Sequence, residues 1–193
     1  MLRYNCAVNG EPDLHEETLP DLAAPGIDLL FVGINPSLYS VRAGHYYARP
    51  GNLFWRCLHE GGLTPVRLRP QEDHRVLEWG IGITDCVKRP TVSAAEVTAA
   101  EFRDAEGALV AKIARWRPRL VCFNGLVGYR GVFDPKAGLG RQPRRLEGAV
   151  LFVVPSTSGA NAAYSREARV EWFARLREVR EELRRGCPQS ART

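Results

Sequence analysis

The sequence contains no pair of cysteines that would suggest a disulfide framework or a metal site. Its five cysteines are scattered along 193 residues without a Cys-x-x-Cys motif, and its four histidines lack the spacing of ligands on one helix face. These absences argue against a disulfide scaffold, a zinc site and a cysteine-ligated cluster. We therefore expect no metal and no cofactor. The cysteines are Cys6, Cys57, Cys86, Cys122 and Cys187.

Long apolar runs are also missing. The longest, at Ile27–Ile34 and Val150–Val154, fall far short of the ~20 residues that span a bilayer. The opening residues, MLRYNCAVNGEPDLHEE, lack the basic-then-apolar pattern of a secretory signal. We expect a soluble, cytoplasmic protein without a membrane partner.

Lysine is scarce, although the chain is basic. Of 27 basic residues only three are lysine, which leaves 24 arginines, and the formal net charge is +5. Because the planar guanidinium pairs well with phosphate, this balance favours a polyanionic partner. The codon bias of a GC-rich genome would produce the same excess of arginine, so both interpretations stay open.

Apolar runs and helical spacings alternate along the chain. The runs at 27–33, 80–85, 120–123 and 150–154 predict strands, and helical periodicity predicts helices at 98–116 and 165–185. A shorter helix is predicted at 53–60, with Asn52 as its cap. This alternation predicts an α/β fold: a single domain with a central four-stranded, mostly parallel sheet flanked by helices.

The ends of the chain differ from its centre. Segment 1–25 has three prolines and no sustained periodicity, so we expect a partly ordered lead-in there. The domain is predicted to cover 26–186, with a short tail at 187–193. In open α/β sheets the site forms outside the carboxyl ends of the strands. The loops after Gly33, Ile83 and Val154 are therefore where function is expected.

The loop after Gly33 contains neither GxGxxG nor GxxxxGK[ST], so it has no nucleotide-binding fingerprint. Asn35 follows the strand directly, and its amide could orient a water or a substrate, or could form an Asx-type turn. The rings of Tyr46 and Tyr47 could stack on a flat ligand such as a nucleobase, or could pack over the core.

The loop after Val154, PSTSGANA, is small and polar, so its backbone could approach a ligand closely. A simple turn before the last helix would have the same composition. The glycine at 159 lacks the Gly-x-Ser-x-Gly setting of a nucleophile elbow, which argues against a serine hydrolase.

Four stretches together resemble the mismatch-specific uracil/thymine-DNA glycosylase family of the uracil-DNA glycosylase superfamily. They are LLFVGINPSLYSVRAGHYYARPGNLFWRCLHEGGLT, GIGITDCVKRPT, FNG and VVPSTSGANA. Their order and separation match the family over roughly residues 27–184. The resemblance implies a uracil-DNA glycosylase-like fold and an enzyme that flips a base out of the duplex and hydrolyses its N-glycosidic bond.

The resemblance also implies roles for residues of the first loop. Asn35 stands at the position of the catalytic asparagine that places the attacking water, and Tyr47 at the aromatic position that stacks on the flipped pyrimidine. Ile34 and its neighbours would offer backbone groups to the base edge. Ser40 would lie near the pyrimidine C5, where it disfavours a thymine methyl group. Ser37 replaces the glycine that is usual in GINPG.

The PSTSGANA loop resembles the family's wedge, which fills the space left by the flipped base. Ser156 is expected to contact the base, and Gly159, Ala160 and Asn161 stand where backbone groups read the widowed guanine. Better-known members have leucine or arginine at the Ala160 position. Because a methyl group fills less of the stack, this departure puts mismatch selectivity in question more than chemistry.

Asp85 is a second departure, since the family commonly has asparagine or lysine there. It ends the second predicted strand near the same sheet edge as Asn35. We hypothesise that Asp85 activates the water, together with Asn35 or instead of it. A surface aspartate paired to Lys88 or Arg89 is the alternative interpretation.

Phosphate contacts are expected from arginines of the first loop, Arg42 and Arg49. A basic stretch at 136–145 could also contribute, whereas the arginines of the last helix alternate with glutamates and suggest a solvated face.

The leading interpretation is a monofunctional, monomeric glycosylase that removes uracil from G·U mispairs in double-stranded DNA at the bacterial nucleoid. Alternatives are a broader glycosylase for ethenocytosine or other adducts, and a non-catalytic binder of damaged DNA.

Overall fold

A computed structural model describes residues 18–186, so the predictions for 1–17 and 187–193 lie outside the described residues. The strands are β1 (Leu29–Gly33), β2 (Ile81–Asp85), β3 (Leu120–Asn124), β4 (Gly140–Leu146) and β5 (Ala149–Val154). The α-helices are α1 (Leu38–Ala43), α2 (Phe54–Glu60), α3 (Ala99–Trp116), α4 (Leu126–Val132) and α5 (Arg166–Arg185). Segments Pro70–Trp79 and Ala94–Glu96 are 3-10 helices.

The strands form one mixed sheet in the order β2-β1-β3-β5-β4. Strands β2, β1, β3 and β5 are parallel, and every residue in them is buried. Strands covered on both faces tolerate continuous apolar runs, which is why these four were predictable. The α/β single-domain prediction is confirmed.

The strand count differs from the prediction, because β4 adds a fifth strand antiparallel to β5. Glu147 and Gly148, with φ of 48° and 82°, form the two-residue turn that joins the strands. Only the three positions at 140, 142 and 146 of β4 are buried, and Pro143 lies inside it. Such a sequence suits an edge strand and shows no apolar run.

Two apolar clusters cover the two faces of the sheet. On one face Phe31 of β1 packs edge-on against Phe54 of α2 and stacks near Phe173 of α5, with ring centroids 5.1 and 5.7 Å apart. On the other face α3 and α4 pack their buried residues against β1, β3 and β5. Both faces of the sheet are therefore filled by apolar side chains.

The described part of the predicted lead-in lies against the sheet. Leu22 exchanges two backbone hydrogen bonds with Ile83 of β2, at 2.9 and 2.7 Å. Leu19 is buried. Residues 18–25 therefore cover the outer edge of β2 instead of standing apart from the domain.

The first residues of α3 and α2 lie at or near the predicted helix starts. Thr98 caps α3 in a capping box with Glu101, as predicted from the spacing. Helix α2 begins at Phe54, slightly later than predicted, although the Asn52 side chain still accepts a hydrogen bond from the Phe54 N–H at 3.0 Å.

Candidate active site

A cavity of about 440 Å³ opens at the carboxyl ends of the four parallel strands. Each strand contributes a lining residue at or just after its end: Asn35 after β1, Asp85 of β2, Asn124 of β3 and Ser156 after β5. A cavity with polar side chains from all four parallel strands therefore lies where the site is expected, beyond the carboxyl ends of the strands.

The Asn35 amide is held by the loop that follows β2. Its Nδ2 donates to the Arg89 carbonyl and to Thr91 Oγ1, both at 2.8 Å. Because a carbonyl only accepts, the nitrogen must face Arg89, so the orientation of the amide is determined. These contacts reach across to another loop, unlike an Asx-type turn. Within residues 18–186, Oδ1 accepts no hydrogen bond, which leaves it available to a water or ligand.

Asp85 is buried, with 4% of its surface exposed, and its Oδ2 has no hydrogen-bond partner among the described residues. The surface-pair interpretation is wrong, because Lys88 pairs with Asp21 at 2.6 Å and Arg89 with Glu101 at 2.7 Å. Burial raises the pKa of Asp85 to about 7, against the opposing effect of the Lys88 and Lys112 charges. A carboxyl group with this pKa exchanges protons near neutral pH.

Gly33 lies beside Asp85 in the β1–β2 register. A Cβ atom added at residue 33 would stand 2.2 Å from Asp85 Oδ1. A side chain at residue 33 would therefore push the carboxyl group out of its present position. The glycine that closes the first strand is explained by this close approach rather than by a turn.

Asp21, in the segment before β1, organises the charges beneath the cavity. Its carboxylate contacts Lys88 Nζ, Lys112 Nζ at 3.0 Å and Thr84 Oγ1 at 2.6 Å. Lys88 Nζ also donates to the Tyr46 hydroxyl at 3.2 Å. The ammonium groups are thereby engaged away from Asp85. Sequence reasoning missed Asp21, because it lies in a segment without periodicity.

The two neighbouring tyrosines have different positions. Tyr46 is buried in the core and its backbone N–H donates to Asp73 at 2.9 Å. Tyr47 has a positive φ of 53°, which is unusual for a residue other than glycine. One face of its ring stacks on Phe54, with the ring centroids 3.8 Å apart. Burial raises the pKa of Tyr47, and its hydroxyl is without a partner among the described residues.

Ile34 and Ser40, for which base contact is predicted, both line the cavity. Ile34 is half-buried, and its carbonyl accepts from the Val87 N–H at 2.9 Å. Ser40 is buried and contacts Ser37 through hydroxyl oxygens 3.1 Å apart. Ser37 caps α1 by accepting from the Ser40 N–H, which gives the serine at this position a structural role.

The loop from 156 to 161 forms the opposite rim, where Ser156, Ser158 and Ala160 line the cavity. Gly159 and Ala160 are exposed. The Asn161 side chain is used within the loop, because Nδ2 donates to the Ser156 carbonyl at 3.3 Å and Oδ1 accepts from the Ala163 N–H. The hydroxyls of Ser156 and Ser158 accept from backbone N–H groups of the loop and can still donate to a ligand.

Two residues that sequence reasoning missed support this loop. Asn124 binds Thr157 twice, at 3.0 Å to its N–H and 2.9 Å to its hydroxyl. Arg169 of α5 is buried and donates to the carbonyls of Ser156 and Asn161. Within residues 18–186 this guanidinium has no carboxylate partner. Asn124 could have been found by its position at a strand end, whereas Arg169 gave no signal among the arginines of α5.

The two predicted phosphate-binding arginines are separated. Arg49 is exposed and lines the cavity, while Arg42, in the last turn of α1, is exposed outside it. Neither forms an ion pair within residues 18–186. In the predicted basic stretch, Arg141 and Arg144 instead pair with Glu182 and Glu106.

In the described part of the chain, no group of three or more histidine, cysteine, aspartate or glutamate residues could hold a metal ion. No helix between residues 18 and 186 is both long enough and apolar enough to cross a bilayer.

The fold and the cavity define a class: an α/β protein that presents an acceptor, a carboxyl group and an aromatic ring to a ligand at the carboxyl edge of its sheet. The chain belongs to the uracil DNA glycosylase superfamily, whose family model matches residues 20–182. Membership makes it a DNA glycosylase, a hydrolase of N-glycosidic bonds.

A solved structure is similar in fold. It is the solution NMR structure of a Methanosarcina acetivorans protein described as a candidate uracil DNA glycosylase, with a TM-score of 0.60 and 27% identity. The similarity covers 88% of this chain and 98% of that one.

Proposed function

We propose that the protein removes uracil from G·U mispairs in double-stranded DNA as a monofunctional, mismatch-specific glycosylase and leaves an abasic site. The observation that carries this proposal is the Asn35 amide, whose nitrogen is fixed by Arg89 and Thr91 while Oδ1 is left free. A fixed acceptor in the same cavity as a buried carboxyl group suits the placement of a water. The similar solved structure, which is described as a candidate uracil DNA glycosylase, supports the choice of uracil as the target base.

In the proposed reaction the uracil leaves the duplex and stacks on the free face of Tyr47. Cleavage leaves positive charge on the sugar and negative charge on the base, and backbone groups near Ile34 stabilise the departing base. Asn35 Oδ1 orients the water, and Asp85, as the carboxylate, takes its proton. An amide alone is a poor proton acceptor, so Asp85 contributes the base.

The wedge loop contributes the preference for a mispair. Gly159, Ala160 and Asn161 stand opposite the widowed base, with only the Ala160 methyl group to fill the stack. Flipping costs a few kcal/mol and least for a mispaired base, so a small wedge favours targets that are already weakly paired.

The remaining parts of the proposal concern mechanism type and partners. No lysine is among the residues that line the described cavity, which supports hydrolysis by water over attack by an amine. We propose that the protein acts as a monomer on DNA, in the cytoplasm.

The test is single-turnover cleavage of matched oligonucleotides that carry U·G, U·A, T·G, ethenocytosine·G or single-stranded uracil. The expected order places U·G first. Faster cleavage of ethenocytosine·G would favour a broader glycosylase. Absence of an abasic product from every substrate, with binding retained, would leave a non-catalytic binder of damaged DNA.

A further inference from the structure

A second groove, of about 450 Å³, adjoins the cavity at Tyr47. Tyr47, Arg49 and Asn52 line both concavities, so the groove continues the surface on which the target nucleotide would lie. Its outer wall comes from the segment before the 3-10 helix at Pro70–Trp79 and includes Arg67 and Arg69.

The groove is basic and has no acidic lining residue among those described. Its four arginines are Arg49, Arg56, Arg67 and Arg69. Arg56 pairs with Glu60 at 2.9 Å, whereas the other three form no ion pair within residues 18–186. All three are exposed. Glu72 is engaged elsewhere, by the Arg69 backbone N–H and by Arg75.

The lack of counter-ions is not general to arginines of this chain. On α5, Arg166, Arg175 and Arg177 each contact a glutamate of the same helix. Those pairs neutralise a solvated face. The charge of the groove, in contrast, is left for a partner.

The floor of the groove is apolar and firmly held. Trp55 is 5% exposed and its indole N–H donates to the Tyr46 carbonyl at 3.3 Å, and Leu68 is 3% exposed. An apolar floor lowers the local dielectric, so an anion between these arginines is attracted more strongly than at an open surface. A fixed floor with mobile arginines above it suits a chain of phosphates and sugars.

We propose that this groove binds backbone phosphates of the uracil-carrying strand, beside the flipped nucleotide, through Arg67 and Arg69. The inference rests on the proposed function for the identity of the strand. The groove shares Tyr47 with the cavity, and the strand whose base lies on Tyr47 must have its neighbouring phosphates close by. Arg49 stands at the junction of the two concavities.

The test compares the Arg67→Gln/Arg69→Gln variant with a matched control, Arg115→Gln/Arg185→Gln. The control removes two exposed arginines without ion pairs in the described residues, at the ends of α3 and α5 and far from the carboxyl edge. Binding is measured by fluorescence anisotropy over a range of salt, on a duplex in which 2′-fluorination of the uracil nucleotide prevents cleavage. Thermal unfolding verifies that each variant is folded.

We expect the groove variant to bind about tenfold more weakly at 0.15 M salt. The slope of log K against log salt should fall by about 1 to 2, since each phosphate contact contributes about 0.9. The control should keep the wild-type slope. Single-turnover cleavage at saturating protein should change less than threefold, because neither arginine lines the cavity.

A second measurement locates the phosphates. Single neutral methylphosphonates are placed within three nucleotides of the uracil on either strand. A methylphosphonate on the uracil strand should weaken DNA binding by the wild-type protein. It should not weaken binding by the groove variant any further. An unchanged salt slope, an equal loss in the control, or sensitivity confined to the opposite strand would overturn the proposal. If the wild-type protein cleaves no uracil duplex, the proposed function fails, while these binding results still decide the groove.

Discussion

Two aspartates at opposite ends of the parallel strands have contrasting surroundings: one precedes β1 and the other ends β2. Asp28, immediately before β1, binds the buried Arg180 through Nε at 3.0 Å and also contacts Arg184. Asp85, at the end of β2, is buried with one oxygen lacking a partner. An unsatisfied buried polar group costs about 1–3 kcal/mol, so a fold tolerates it only where something else requires it. The charges at the amino end are paired, whereas the carboxyl end keeps the unsatisfied group that the proposed reaction would use.

The same contrast holds for two other polar side chains, although positive φ outside glycine occurs at both ends of the strands. At the carboxyl edge, Tyr47 has a positive φ and an unpartnered hydroxyl. At the amino edge, Arg180 is 4% exposed and also donates to the Trp79 carbonyl. Substitutions at the amino end should therefore change stability alone, whereas those at the carboxyl end should change the cleavage rate, the stability or both.

The largest effect is expected from Asp85→Asn. Removing the proposed base should lower the single-turnover rate by about 10²–10⁴-fold. The wild-type rate should rise with pH through about 7 and then level off, because the carboxyl group must lose its proton to act. The variant should lose this rise. Unchanged cleavage by the variant would contradict the role, and Asn35→Ala is the companion variant that separates water placement from proton removal.

Asp85 should also affect stability with the opposite sign. Its pKa in the folded protein is about 7, above the ordinary value of 3.8. The folded state therefore holds the proton more tightly, and stability is lost as the pH rises from about 4 through 7, by up to about 4 kcal/mol. Asp85→Asn should be the more stable protein at pH 8 in urea unfolding. Equal stability at pH 5 and pH 8 in wild type would contradict the burial of the charge.

At the amino edge, Asp28→Ala should lower the free energy of unfolding by about 3–5 kcal/mol, because Arg180 would stay buried without its carboxylate. The cleavage rate of the folded fraction should be unchanged. Arg184→Gln is the matched control: it removes a half-exposed partner of the same carboxylate and should cost less than about 1 kcal/mol. Equal losses in the two variants would remove the distinction between the buried and the exposed pair.

The strands of the sheet were not equally predictable from the sequence. Strands β1, β3 and β5 are near-continuous apolar runs, and β2 is a shorter Ile-Gly-Ile-Thr segment, so residues at strand ends such as Asn35 and Asp85 could be located from them. Strand β4 could not be predicted, because an edge strand with Pro143 and exposed arginines has no apolar run.

Partners distant in sequence were equally hidden. Asp21 meets Lys88 and Lys112 from a segment without periodicity, and Arg169 binds backbone carbonyls, which no side-chain pattern displays. Sequence therefore located the chemical groups, and the structure supplied the contacts that orient them.

Arg169 makes the carboxyl edge partly dependent on a buried charge of its own. Arg169→Lys loses the fork that joins the Ser156 and Asn161 carbonyls and should lower the free energy of unfolding by about 2 kcal/mol. Because the wedge loop is loosened, cleavage of duplex substrates should fall as well. Arg166→Lys, exposed in the first turn of the same helix, should change stability by less than about 0.5 kcal/mol. Urea unfolding of both variants measures the difference, and a similar effect in both would contradict the clamp.

The smallest expected change in stability comes from a comparison of two adjacent tyrosines. Tyr47→Phe removes a buried hydroxyl that has no partner and should raise the free energy of unfolding by about 1 kcal/mol. Tyr46→Phe removes a hydroxyl that accepts from Lys88 and should lower it by about the same amount. The Tyr47 ring is retained, so cleavage should stay within threefold of wild type. A destabilised Tyr47→Phe would mean that a water satisfies the hydroxyl, and a large loss of rate would mean that the hydroxyl contacts the substrate. In the first case, Asp85 alone carries the cost of an unsatisfied buried group at the carboxyl ends of the strands. In the second case, the Tyr47 hydroxyl has no protein partner because it binds the DNA.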